Sequence, residues 1–335
     1  MVRIRWILIW MALLGLVGVA LGQVLEIPKG QVEFIGLRSW TARQLYDKLV
    51  EVDPRNPLCM VGLDRLGFAA SSVNKEFQGD RMFTLVIAVE PQFADRIKRR
   101  PLPLEGLPAV DRWADVLESV RLNLDDYMTA LQLYDYHLSG QTETALLKYG
   151  AYLDPVTTKK IWADIAKFND GKDKELAAWI IMNDKDVNHR IAAASVLANF
   201  HQSDSAWWAL MEAMRYDDMV GAAAEGLLKS LSRTFPRNVD WAPMVVSIRA
   251  LLDGTNPTHF FTTVRVLTQT RIAERFAEPL LSSGGSLLVD CLGASREQER
   301  APVRQLLTRL AGEDLGPTPA AWTEWIATIS KNRGS

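Results

Sequence analysis

The stretch "RIAAASVLANF" (190–200) decides the fold, because it recurs. It aligns without gaps on "GAAAEGLLKSL" (221–231), an offset of 31 residues. A further 39 residues lead to "FFTTVRVLTQT" (260–270), and 40 more to "RAPVRQLLTRL" (300–310). The pairs Val196-Leu197, Leu227-Leu228, Val266-Leu267 and Leu306-Leu307 are apolar in every copy. Each copy follows another helical stretch: "ELAAWIIM", "SAWWALMEAM", "APMVVSIRALL" and "LLVDCLG". One helix pair cannot bury both its faces, so pairs recurring at this spacing must stack on their neighbours. Ala192, Ala193, Ala223 and Ala224 suit close helix approach. The third and fourth copies lose that Ala-rich centre, and Gly284-Gly285 interrupts the last pair.

Two helices per unit at this spacing resemble the HEAT-type repeats of exported bacterial proteins, over residues 172–330. The resemblance implies a mainly α fold, a HEAT-like α-solenoid of helical hairpins. The closing "RLAGEDLGPTPAAWTEW" (309–325) fits the end of such a stack. Gly312 stands where a left-handed helix cap is wanted, and Gly316-Pro317 keep the connection non-helical. Thr318 is a candidate N-cap with Pro319 at the first helical position. Trp322, Trp325 and Ile329 then form one stripe on a capping helix. The Gly312-x-Asp314-x-Gly316 turn before Trp322-x-x-Trp325 is also similar to the closing segment of those proteins. Glu313 and Asp314 read as turn residues.

Upstream, Arg3 and Arg5 precede an apolar run from Trp6 to Leu21, and Ala20-x-Gly22 offers a cleavage site. Residues 1–22 therefore read as a signal peptide. Left uncleaved, residues 6–22 would anchor the chain in the inner membrane. The expected location is exported, in the periplasm or cell envelope. Residues 23–95 read as a small α/β domain. Its parts are the strand "VEFIGL" (32–37), a helix capped by Thr41 and Gln44, the breaker "DPRNP" (53–57), a second helix, and the strands "LGFAASSV" (66–73) and "MFTLVIAVEP" (82–91). With "FIGLRSWTARQLYDKL", "LGF" and a last strand running into Glu90, this β-α-α-β-β order resembles POTRA domains. That resemblance implies a peptide- or protein-binding module, often acting by adding a strand at a sheet edge.

Residues 96–110, with Arg96, Lys98, Arg99 and Arg100 before spaced prolines, read as an exposed, stiff linker. Helical hairpins over 111–171 lead into the repeats. One stripe runs Trp113, Val116, Leu117, Val120 and Leu124; another helix starts at Asp154-Pro155.

The chemistry is sparse. A leader cleaved with Arg3 and Arg5 leaves 36 basic against 40 acidic residues, too little positive charge for general nucleic-acid binding. His137, His189, His201 and His259 form no zinc motif, and "SSGGS" (282–286) is no nucleophile elbow. "DKDVNHRIAAAS" (184–195) starts like a calcium loop but has His189 and Ser195 where Gly and Glu are required. Asp186 is better read as a helix cap, and Asp217-Asp218 repeats that corner one unit later. Cys59 and Cys291 read as small buried hydrophobes. No cofactor or metal is expected, and no enzyme. The expected role is a non-enzymatic interaction scaffold for a protein or peptide partner in the cell envelope, with Trp207, Trp208 and Arg215 as candidate partner-binding residues. The alternatives are an envelope component binding glycan or membrane, or a hydrolase using Glu313 and Asp314.

Overall fold

The computed structural model describes residues 22–106, 111–150, 154–281 and 285–331. The leader reading, the end of the 96–110 stretch and the first residues of "SSGGS" lie outside them. A mixed sheet forms from β1 (Gln23–Ile27), β2 (Gly30–Ile35), β3 (Ala70–Gln78) and β4 (Arg81–Val89), in the order β1-β2-β4-β3. β2 and β4 pair in parallel, and the outer pairs are antiparallel. β1 is an addition to the expected elements, and β3 starts four residues later than the strand expected at Leu66. Between β2 and β3 lie α1 (Ala42–Val52) and α2 (Met60–Arg65). The Thr41–Gln44 capping box is formed, and Leu45 and Leu49 are buried.

Apolar runs as continuous as β4's belong to strands covered on both faces. Val32, Phe34, Val86 and Ala88 pack with Leu45, Leu49 and Leu63 of α1 and α2. The alternate residues Ile35, Phe83, Leu85 and Ile87 join the large core of the helical part. The sheet is thus a middle layer.

The other long elements among the described residues are helices. First come α3 (Ala114–Leu122), α4 (Leu124–Leu131), α5 (Tyr134–Leu138), α6 (Thr142–Tyr149) and α7 (Pro155–Ala166). Asn123 ends α3 and caps α4, accepting from the Asp126 N–H, so the stripe expected through Leu124 divides there. The repeat region comprises α8 (Gly171–Asn183), α9 (Val187–Leu197), α10 (Asp204–Ala213), α11 (Met219–Thr234), α12 (Val245–Leu252), α13 (Phe260–Gln269), α14 (Ala277–Leu281), α15 (Ser286–Leu292), α16 (Glu297–Ala311) and α17 (Pro319–Lys331).

The four aligned segments fall on α9, α11, α13 and α16, and all eight residues of the aligned apolar pairs are 0% exposed. α9 packs on α11, α11 on α13, and α13 on α16. The helices preceding the first three copies also touch in turn, α8 to α10 and α10 to α12; α12 then meets the additional short helix α14, and α15, which precedes the fourth copy, packs on α16 and α17. Helices α3 to α5 do more than lead into this array: α3 lies against α9, and α4 and α5 against α11. The cause is in α9, where every residue from His189 to Leu197 is buried. A helix without a polar face must be covered all round.

Candidate functional site

Each helix pair of the array turns at a short polar corner, and the corners form a row. Asp186 caps α9 through the N–H groups of Asn188 and His189, and Asp218 caps α11 through Val220 and Gly221. His189 completes the first corner, its Nδ1 2.7 Å from Asp184. Arg190, 1% exposed, links the first two units: its Nη1 donates to Asp218 at 2.9 Å and its Nε to the Ile181 carbonyl at 3.1 Å.

The basic stretch expected as an exposed linker is laid along these corners. Its backbone meets them in reverse order. Lys98 N–H donates to Thr255 Oγ1 at 2.9 Å, Arg100 N–H to the Arg215 carbonyl at 3.0 Å, and Lys185 N–H to the Glu105 carbonyl at 2.8 Å. Arg100 also donates to Tyr216 Oη and Glu212, both at 2.8 Å, and Arg99 pairs with Asp217. Carboxylates near the corners thus engage two of the four cations, Arg99 and Arg100. The sheet extends the row: Glu33 accepts from Ser295 N and Oγ at 2.6 Å, and Arg296 donates to Glu76 at 2.6 Å. Gly254 (φ +93°) allows this close approach, since a Cβ there would lie 2.8 Å from Val89. Arg100→Ala should cost about 1–2 kcal/mol in urea denaturation, the value of charged hydrogen bonds discounted for partial exposure.

None of the three candidate anchors is free. Trp207 is 1% exposed, packed in the core with Nε1 donating to the His201 carbonyl. Trp208 is half-buried and donates to the Asp240 carbonyl at 2.8 Å. Arg215 clamps the strap, donating to the Lys98 carbonyl from Nε and Nη2 at 3.0 and 2.8 Å, and pairs with Glu212. The strap that engages Arg215 was not legible in the sequence.

In the C-terminal motif the Gly312 helix cap is formed. Gly312 takes φ +78° at the end of α16, and α17 begins at Pro319, directly after Thr318. Asp314 Oδ1 accepts from the Gly316 N–H at 2.9 Å while Arg304 donates to both its oxygens, which holds its carboxyl below the usual range. Trp322 is fully buried, donates to the Gly316 carbonyl at 2.8 Å and meets the half-buried Trp325 edge-on. Gly312→Ala should lower stability by about 1–2 kcal/mol in the same assay, the left-handed cost for an L-residue. Cys59 is only half-buried; Cys291 is buried, and both are free thiols.

Concavities of ligand size among the described residues include a depression of about 440 Å³ over Ser39, Trp40, Gln44, Asp47 and Lys48. A groove of about 760 Å³ beside Gly312 carries both signs of charge: Glu274, Glu297 and Asp314 against Arg304 and Arg309. Another, of about 360 Å³, lies where the β1–β2 turn meets α1 and the α1–α2 loop. Ile27, Leu58, Tyr46 and Met82 line it, and Phe77 of edge strand β3, 74% exposed, stands beside it. Its prolines, Pro28, Pro54 and Pro57, fix the two loops that enclose it. Its charged lining is all basic: Lys29, Arg55 and Lys75. Sequence reading missed it because its parts come from five separate segments. No protein-family model, curated protein or solved structure matches this chain.

Proposed function

We propose that this chain is an exported, non-enzymatic interaction scaffold, a HEAT-like α-solenoid carrying a POTRA-like α/β domain that receives a protein or peptide partner. The sequential contacts of α9, α11, α13 and α16 support the solenoid reading. The strand-helix-helix-strand-strand order after β1 supports the POTRA-like one. The observation that carries the function is the pocket beside Phe77. An aromatic ring left 74% exposed next to an apolar cavity is a docking feature, and it is remote from the corners that the strap occupies. A photo-crosslinking phenylalanine analogue at position 77 should yield a discrete adduct in envelope extracts. The same analogue at Val246, which is 64% exposed on α12, should not. Equal, diffuse labelling from both positions would sink the proposal.

A further inference from the structure

We infer that the pocket beside Phe77 takes an acidic peptide segment, one large apolar side chain flanked by carboxylates. The inference rests on the scaffold reading and names its partner's chemistry. Its first support is the apolar floor: Ile27, Leu58, Tyr46 and Met82, closed on one side by Phe77. A cavity of about 360 Å³ accepts one or two side chains. A concave pit of that size suits an inserted side chain, whereas a membrane surface is met by protruding groups.

The second support is charge. Lys29, Arg55 and Lys75 all line the pocket and are exposed, and no acidic residue lines it. Among the described residues neither Lys29 nor Arg55 has an ion-pair partner, and Lys75 Nζ donates only to the neutral Asn56 Oδ1, at 3.1 Å. The acids nearest in sequence are engaged elsewhere. Asp53 accepts from the N–H groups of Arg55 and Asn56, Glu26 pairs with Arg81, and Glu76 pairs with Arg296. Three cations without a carboxylate partner thus surround one cavity whose lining holds no acid. Complementary charge of this kind sets specificity and capture rate, and the apolar insertion holds the complex.

The test uses the purified protein and three labelled nonapeptides followed by fluorescence anisotropy. One has a central Phe among Asp and Glu, one has the same Phe among Lys, and one has Ser in place of Phe. Only the acidic Phe peptide should bind saturably. Lys75→Glu and Phe77→Ser should each weaken that binding about tenfold, as should a rise in salt that shortens the screening length from ~10 to ~3 Å. Both side chains are exposed, so both variants should fold, with unchanged thermal melts as the check. No saturable binding of the acidic peptide, or binding indifferent to both substitutions, overturns the inference. So does cosedimentation with phosphatidylglycerol vesicles that Lys75→Glu abolishes, if the peptide does not bind. A crosslink at position 77 that persists after such a failure leaves the scaffold reading standing and removes only the acidic partner.

Discussion

Arg190→Ala is expected to destabilise the fold by about 3 kcal/mol or more, the range for removing one partner of a buried ion pair. The guanidinium is 1% exposed, lies 3.9 Å above the Tyr216 ring and donates to Asp218 and to the Ile181 carbonyl. Its removal opens a cavity between two repeat units and strips an anion of its counter-ion. Asp218 also accepts from the Val220 and Gly221 N–H groups, so the anion keeps part of its compensation and the loss stays toward the low end. Two further variants separate the causes. Arg190→Met fills the volume without charge and should recover part of the loss. Asp218→Ala combined with Arg190→Ala should cost less than the two single losses summed, by about 1 kcal/mol or more. Urea denaturation of the wild type and the four variants, Asp218→Ala alone among them, measures this. A single-variant loss below about 1 kcal/mol, with additive effects, would mean that this pair does not couple the units.

Arg190 also marks how far the sequence could be read. The aligned pairs from Val196-Leu197 to Leu306-Leu307 are all buried, because periodicity reports which face of a helix needs cover. The helix caps at Thr41, Asp154, Asp186 and Asp218 were equally local, a side chain meeting an N–H two or three residues on, whereas the cap at Asn123 went unread because apolar residues continue on both sides of it. What covers a face is not local. Residues 191 to 197 of α9, "IAAASVL", have no charged side among them, and an array helix with one face open would carry one. That run was a legible sign of a second cover, which α3 supplies. The strap gave a partly misleading sign. Most of it is exposed as expected, but Arg99 and Arg100 are paired, and their partners, Asp217 and Glu212, lie more than a hundred residues away. The pocket beside Phe77 was illegible for the same reason, since β1, the α1–α2 loop, β3 and β4 meet only in the folded chain.

The contact between sheet and helices should be pH-dependent, with Asp290 as its main titrating group. Burial pushes the Asp290 carboxyl up to about 6; attraction and hydrogen bonding from Arg38 offset only part of that cost. One nitrogen, Arg38 Nη2, reaches both carboxylate oxygens, at 2.8 and 2.7 Å. A carboxyl whose value is raised on folding binds its proton more tightly in the folded state than in the unfolded chain. Its ionisation therefore costs nothing below about pH 4, an increasing amount between about 4 and 6, and a constant amount above 6. From the ordinary carboxyl value to about 6, the full cost is about 3 kcal/mol. Asp290→Asn removes the titration while keeping the shape. Relative to wild type, it should gain about 2–3 kcal/mol between pH 4 and pH 7.5, measured by urea denaturation at each pH. Glu90, Asp164 and Glu225, held below their usual range, give the whole protein an opposing slope, but they cancel in the difference between the two proteins. Asp253, raised by burial, stays in both and cancels likewise. A difference that does not change across that window would show that Arg38 fully compensates Asp290, and that the sheet is held to α15 without an electrostatic cost.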